Sequence, residues 1–384
     1  MKKSNPIFSS IALLAGLSAC SSNDMPVQHS DQYDNITFTV ETQKVTTRTN
    51  EYEIYNPDQH PMQMGVFGYQ ANPQASDHTL LGDFNNQQVT FNKAQSTWEY
   101  DPPKKWEDYQ EARFFDFLAY MPYSDNTANP EKQASITIQT DAAKQTETYT
   151  LSIPYDPTSY TTASPFLFDS KSAPIICALP EHREVKGEDG NKKSFDHTIR
   201  FKFDQTLTGY KLLFKLDPKM GVIRQFHIKN IQITGKIPTS CTITRNFIYN
   251  KTTQKWTAEE IQWRDTTLQT FTNANPVIIP FKESSLVVTS TDFSQWGGTF
   301  YTIPYAAFEP TIQVTYDVEM KAQDGTTIVT RKDVTSSIVL NESNFGKFNS
   351  SATATIYPIR ILIQPRYLYV LTDQDAYTGH LLID

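Results

Sequence analysis

Residues 36–49 read ITFTVETQKVTTRT. The first five alternate, with Ile36, Phe38 and Val40 apolar and Thr37 and Thr39 polar, which puts three apolar side chains on one face of an extended strand. Polar and basic residues follow, as far as Arg48. A first strand normally leads directly into its domain. One that is followed by an exposed basic stretch is either a permanent part of the fold or a piece meant to be cut away.

The same two-residue period recurs along the chain, in Val89-Phe91, Tyr149-Leu151-Ile153, Ile199-Phe201-Phe203, Tyr210-Leu212-Phe214-Leu216, Phe226-Ile228 with Ile231-Ile233, Ile312-Val314-Tyr316-Val318 and Tyr357-Ile359-Ile361-Ile363. Alternation of this kind describes antiparallel sheets with one wet face, so the predicted fold class is all-β, built as sandwiches. Asp189-Gly190 and Asp324-Gly325 read as type I′ hairpin turns, and Gly297-Gly298 as a bend before Phe300. Helical signals are confined to a turn or two at Trp106–Arg113 and near Trp256–Arg264.

The N-terminus bears on compartment. Lys2 and Lys3 precede an apolar run from Ile7 to Leu17 that closes on Leu17-Ser18-Ala19-Cys20. That run is far shorter than the roughly 20 residues a membrane-spanning helix needs, and it has the form of a secretory signal. The polar stretch Ser21–Asp34 reads as a tether. The roughly 350 residues beyond it amount to two ordinary domains or one large β domain. A boundary is predicted in the charged stretch EHREVKGEDGNKK, residues 181–193, which reads otherwise as a long hairpin inside one sandwich.

A formal charge of −8 argues against a nucleic-acid partner, since phosphate binding needs a basic surface. The sequence holds no GxSxG elbow, HExxH pair, Gly-rich phosphate loop or Asp-rich calcium loop, so a catalytic, cofactor or metal reading lacks a starting point and no enzyme is expected. The 7 histidines are scattered without ligand spacing and are expected at surface or structural positions. Of the 3 cysteines, Cys177 and Cys241 are expected as two buried thiols, with pairing as the alternative. The aromatic stretch from Trp98 to Tyr123 is read as core, with Phe115, Phe117 and Ala119 as a buried strand, and otherwise as a binding platform through Trp106 and Tyr109.

Several of these stretches, taken in order, resemble the fimbrillin family, the subunits of type V pili. They are LSAC at 17–20, ITFTV followed by an Arg, MGVFGY at 64–69, the run from Trp98 into FFDFLAYMPY, FDHTIRFKF at 195–203 and FGKFNSSATATIYPIRILI at 345–363. The resemblance implies two transthyretin-like antiparallel β-sandwich domains in tandem, in an outer-membrane lipoprotein precursor exported to the cell surface. Cys20 matches the lipidated residue, which would anchor the chain to the lipid membrane before processing. Arg48, followed by Thr49, matches the cleavage site of an arginine-specific protease. Removal of the first strand, with Ile36, Phe38 and Val40, would open a groove for a strand from another pilus subunit, and the assembled fimbria would support adhesion to host or bacterial surface ligands.

The expected division is a signal peptide over 1–19, a tether and removable strand over 20–48, an N-terminal sandwich over 49–185 and a C-terminal sandwich over 186–384. Near 355–371, Tyr357, Ile359, Ile361 and Ile363 with Tyr367, Tyr369 and Leu371 form a candidate donor strand or, equally, the ordinary last strands of the second sandwich. The tail 373–384 runs past the end expected of a simple donor strand, which suits a tip, accessory or anchor component as an alternative to a shaft subunit. A glycan-binding surface lipoprotein is the reading from a different functional class, and it calls for exposed, coplanar Trp side chains.

Overall fold

A computed structural model of the chain describes residues 35–41, 44–46, 51–53, 62–71, 78–109, 112–125, 132–159, 164–186, 198–219, 224–322, 324–341, 356–363, 367–371 and 379–382. Apart from short 3-10 turns such as Trp106–Tyr109, the regular elements among them are all strands. No helix among the described residues is long and apolar enough to cross a membrane.

In chain order the strands begin with β1 (Thr37–Val40), β2 (Lys44–Thr46), β3 (Glu51–Glu53), β4 (Gln63–Ala71), β5 (Thr79–Asn92), β6 (Thr97–Glu99), β7 (Phe114–Met121) and β8 (Ser135–Asp141). Next come β9 (Thr146–Tyr155), β10 (Ile175–Cys177), β11 (Glu181–Glu184), β12 (Thr198–Phe201), β13 (Phe203–Gln205), β14 (Thr208–Leu216) and β15 (Arg224–Asn250). The remainder are β16 (Lys255–Ala258), β17 (Gln262–Phe271), β18 (Val277–Ile278), β19 (Leu286–Val288), β20 (Ser294–Thr302), β21 (Thr311–Lys321), β22 (Thr327–Val339), β23 (Ile356–Ile363), β24 (Tyr367–Leu371) and β25 (Gly379–Leu382).

The first sheet runs β12-β1-β6-β5-β4-β7-β10-β13, with β11 also on β7. Its two outer strands, β12 and β13, are separated only by Lys202. One run of chain therefore forms both edges, and the sheet curls back on itself. Ile199, Phe201 and Phe203 of that run are all buried, as their alternation predicts. A second sheet runs β20-β14-β23-β24-β25, a third runs β22-β21-β15-β9-β8 with β16 to β19 also on β15, and β2 pairs with β3.

Two hydrophobic cores result, and β15 serves both. This strand of 27 residues sends Phe226, Ile228, Ile231, Ile233 and Ile237 into the second core, then Cys241, Ile243, Phe247 and Tyr249 into the first. Register shifts at Ile228/Asn230 and on both sides of Ser240 re-aim its faces on the way. The linear division expected at 185/186 thus differs from the packing. The first core continues past that point through β12, β13 and Leu207, and it later receives the second half of β15. Alternation reads the same whichever core a strand faces, so the crossing leaves no mark in the sequence pattern.

Three local expectations also change. The stretch near Trp256–Arg264 forms β16 and β17, each paired to β15, because ladder pairing and half-buried Trp256 and Trp263 override a weak helical signal. Asp324-Gly325 closes the β21–β22 hairpin inside a wider loop bounded by Ala322 N donating to Thr326 O at 2.7 Å, with Gly325 at φ +84°, and so not as a two-residue type I′ turn. Gly297 lies within β20 at φ +60°, where an added Cβ would meet Pro280 O at 2.7 Å. Asp189-Gly190 lies outside the described residues. Cys177 and Cys241 both sit in the first core as free thiols, and burial pushes each up to about 12.

Candidate functional site

β1 is short, yet it occupies an interior position of the first sheet. On one side it pairs in parallel with β12, in the register Thr37↔Thr198 to Val40↔Phe201, and on the other it meets β6 antiparallel at Phe38↔Trp98. Bonds beyond the ladder fix its ends: Ile36 N donates to Lys104 O at 2.8 Å, Tyr100 OH donates to Ile36 O at 2.8 Å, and Glu41 N donates to Phe201 O at 2.8 Å. Lys202 Nζ lies 3.1 Å from Glu41 Oε2 at the surface.

The alternation in ITFTV becomes burial on one face. Ile36 and Phe38 are buried and Val40 packs half-buried against the same core. The Phe38 ring lies edge-on to Phe84 and Phe117, at 5.8 and 5.7 Å, and stacks on Phe201 at 6.0 Å. Burying Ile36 and Phe38 contributes about 1.5–3 kcal/mol each, and favourable ring pairs add roughly 0.5–1.5 kcal/mol apiece. Lifting β1 out would leave an apolar trough between β6 and β12, with unpaired backbone groups on both walls. Such a slot is complementary to another strand with the same alternation.

The other predicted site residues fall in three groups. Cys20, Arg48 and Thr49 lie outside the described residues; in chain order Arg48 and Thr49 fall between β2 and β3, which pair from Lys44↔Glu53 to Thr46↔Glu51. Ile359, Ile361 and Ile363 are buried in the second core, and Tyr357 stacks on Tyr210 at 5.9 Å. Their strand, β23, runs parallel to β14 from Gly209↔Ile356 to Leu216↔Ile363, and its other edge is covered by β24. Tyr367, Tyr369 and Leu371 lie on β24, which in turn pairs with β25.

The aromatic stretch goes inward. Phe115, Phe117 and Ala119 are buried on β7, along with Trp98 and Trp106. None of the five tryptophans, 98, 106, 256, 263 and 296, is exposed, so no coplanar Trp platform exists among the described residues.

One feature escapes sequence reasoning. Asp116 of β7 and Glu147 of β9 are fully buried carboxylates, joined by His78. His78 Nδ1 lies 2.6 Å from Glu147 Oε2 in a hydrogen bond, while its Nε2 approaches Asp116 Oδ2 at 2.8 Å, off the hydrogen-bonding axis, as an ion pair. Asp116 Oδ1 accepts from Trp256 Nε1 at 2.7 Å and faces His182 Nδ1 at 2.7 Å. Tyr149 OH donates to Glu147 Oε2 at 3.1 Å, and Lys251 Nζ pairs with Glu147 Oε1 at 2.8 Å. Burial alone would pull His78 down, but the close approach of Asp116, the hydrogen bond to Glu147 and the charges of both carboxylates outweigh that and raise it to about 9. Glu147 is pulled the other way: burial raises it, and His78 and Lys251 overcome this to bring it to about 2. The network clamps β7 and β11 of the first sheet to β9 and β16 of the third. Its bonded partners lie up to 140 residues apart in sequence, which is why no spacing signals it.

No protein-family model matches the chain, and no curated protein matches it. Among solved structures, a fimbrial protein from Bacteroides vulgatus is similar over 90% of this chain and 100% of its own, at 16% identity and a TM-score of 0.51. A candidate cell adhesion protein from Bacteroides uniformis is similar over 82% of this chain and 91% of its own, at 14% identity and a TM-score of 0.40. Another, from Bacteroides ovatus, covers 91% of this chain and 98% of its own, at 11% identity and a TM-score of 0.40. The chain shares the fold of the first of these, a fimbrial protein, which bears out at the level of the fold the resemblance carried by its sequence motifs and their order.

Proposed function

We propose that the chain is a structural subunit of a surface fimbria, assembled by strand exchange at the slot that β1 fills. The observation that carries this reading is the seating of β1: an interior strand of the first sheet, covalently tied to the rest only through the segment that contains Arg48. A cut there would separate β1 and β2 from β3 onward and leave β1 held by non-covalent contacts alone. A strand from another subunit then takes its place, and head-to-tail contacts of that kind build open polymers. In this reading the precursor is an outer-membrane lipoprotein anchored through Cys20, the cut releases it, and the role is adhesion without a catalytic step.

The β24–β25 hairpin favours a second position in the fibre. It covers the outer edge of β23, so a donor drawn from β23 must first lose that cover. An accessory, tip or anchor subunit that accepts a strand at one end has no need to release it.

The test is the mass and N-terminal sequence of the protein recovered from cell surfaces, for the natural chain and for Arg48→Ala. A mature chain beginning at Thr49, with high-mass polymers that disappear in R48A, is the expected result. A surface protein that begins at lipidated Cys20 and is unchanged in the variant sinks the shaft reading and leaves the anchored one.

A further inference from the structure

The slot that β1 fills is not uniform along its length. Phe38, the middle of the three inward residues, sits among four rings, Phe84, Tyr100, Phe117 and Phe201, with centroids 5.5 to 6.0 Å away. Phe84 also lies 5.4 Å from both Tyr100 and Phe117, so these walls brace one another independently of Phe38. Ring pairs of this geometry stabilise beyond the area they bury, and an aliphatic side chain at the centre forfeits all four. Direction and register are fixed as well. β1 runs parallel to β12 and antiparallel to β6, Tyr100 OH donates to Ile36 O, and Glu41 N donates to Phe201 O beyond the last ladder pair. A strand shifted by one residue turns its apolar face outward, and one shifted by two puts a flanking residue among the rings.

This demand separates β23 from β24. β23 offers Tyr357-Ile359-Ile361 or Ile359-Ile361-Ile363, and each has Ile at its centre. Its three isoleucines are already buried in the second core, and it pairs with β14 from Gly209↔Ile356 to Leu216↔Ile363. β24 offers Tyr367-Tyr369-Leu371, which has an aromatic residue at its centre. It joins β23 over the shorter stretch Arg360↔Leu371 to Ile363↔Leu368, and with β25 it forms the rim of the second sheet. The two rim strands can lift away while β14 and β23 keep their own pairing. Leu212-Phe214-Leu216 of β14 also centres on a ring, but β14 lies between β20 and β23 in the interior of its sheet.

We propose that the slot selects an aromatic side chain at the centre of the incoming strand, and that a second copy of this chain supplies β24, with Tyr369 in the place of Phe38. The inference rests on the strand-exchange reading, and the full chain serves for both parts of its test. In the purified chain, Phe38→Tyr should leave the first melting transition near its natural temperature. Phe38→Leu should lower it by at least about 2–4 °C, the shift that loss of one ring pair gives in a domain of this size. A Phe38→Tyr loss as large as that of Phe38→Ala overturns the assignment to Tyr369. On cell surfaces, Tyr369→Phe should form high-mass polymers like the natural chain. Tyr369→Leu should reduce them by about tenfold or more, the equivalent of one or two ring pairs, while mature monomer beginning at Thr49 still accumulates. Thr37 Oγ1 lies 3.3 Å from Thr198 Oγ1, so the matching pair Thr198→Cys with Leu368→Cys should link subunits by disulfides, and Thr198→Cys with Val370→Cys, two residues out of register, should not. Polymers of Tyr369→Leu equal to those of the natural chain, or crosslinks at the second pair in place of the first, overturn the proposal and leave strand exchange standing. A natural chain that forms no polymer overturns strand exchange itself, and the donor assignment with it.

Discussion

β1 and β23 enter their sheets in the same way and are held very differently. Each packs parallel to a strand far away in sequence, and each presents alternate apolar side chains to a core. β1 buries Ile36 and Phe38 and touches its second neighbour, β6, at the single register pair Phe38↔Trp98. β23 buries Ile359, Ile361 and Ile363, pairs with β14 along its whole length, and carries β24 on its other side. A seat can thus be complementary without being permanent: β1 completes a core whose remaining walls belong to other strands, whereas β23 is itself a wall.

The largest effect that would break this contrast comes from truncation. Deleting residues 356–384 should abolish the second sandwich, because three buried isoleucines and two strand neighbours go at once. Deleting residues 1–41 should lower only the first sandwich's melting transition in calorimetry, and loss of both transitions would show that β1 is as integral as β23. Next in size, Phe38→Ala should cost about 3–5 kcal/mol in the first transition through the cavity it leaves, measured by denaturant unfolding. A synthetic peptide with the alternation of ITFTV should rebind the chain that lacks residues 1–41, and failure to do so would mean the trough collapses.

A smaller effect separates the two sandwiches by pH. His78 is raised from an ordinary 6.5 to about 9, so its contribution is full below pH 6.5 and is lost as pH climbs through 9. Glu147 is lowered from 4.5 to about 2, so its contribution is full above pH 4.5 and is lost as pH falls through 2. The first sandwich should therefore be most stable between these inner limits and weaken on either side, whereas His78→Ala should flatten the alkaline limb. A thermal-melt series that leaves the first transition unmoved from pH 6 to 9.5 would remove the clamp from the account. Smallest of all, Lys202→Ala breaks only the surface pair with Glu41 and should shift stability by less than about 1 kcal/mol.

Much of this architecture was legible from period alone. The alternating runs at 36–40, 149–153, 210–216, 312–318 and 357–363 all lie on strands, because burial on one face of a sheet is written residue by residue. Neighbours are not written that way. Nothing in ITFTV specifies β12 as its partner, 161 residues away at Thr37 and Thr198, and nothing in the pattern of β15 says that it changes cores midway. The reasoning that expects His78 and His182 at surface or structural positions cannot foresee Asp116, since a carboxylate inside FFDFLAYM is indistinguishable from an outward-facing one until its partners are folded against it. Cys20 and Arg48 rest on sequence alone.

The double duty of β15 has a mechanical side. Its 27 residues represent roughly 90 Å of extended chain at about 3.3 Å per residue, shared by two cores without a linker between them. Tension applied to one sandwich reaches the other along covalent bonds and the strands laced to them, and no docking interface has to bear it. Under load such a molecule behaves as one tie-rod with two sheaths. It would sooner lose a short strand with few ladder bonds, such as β1, than part in the middle.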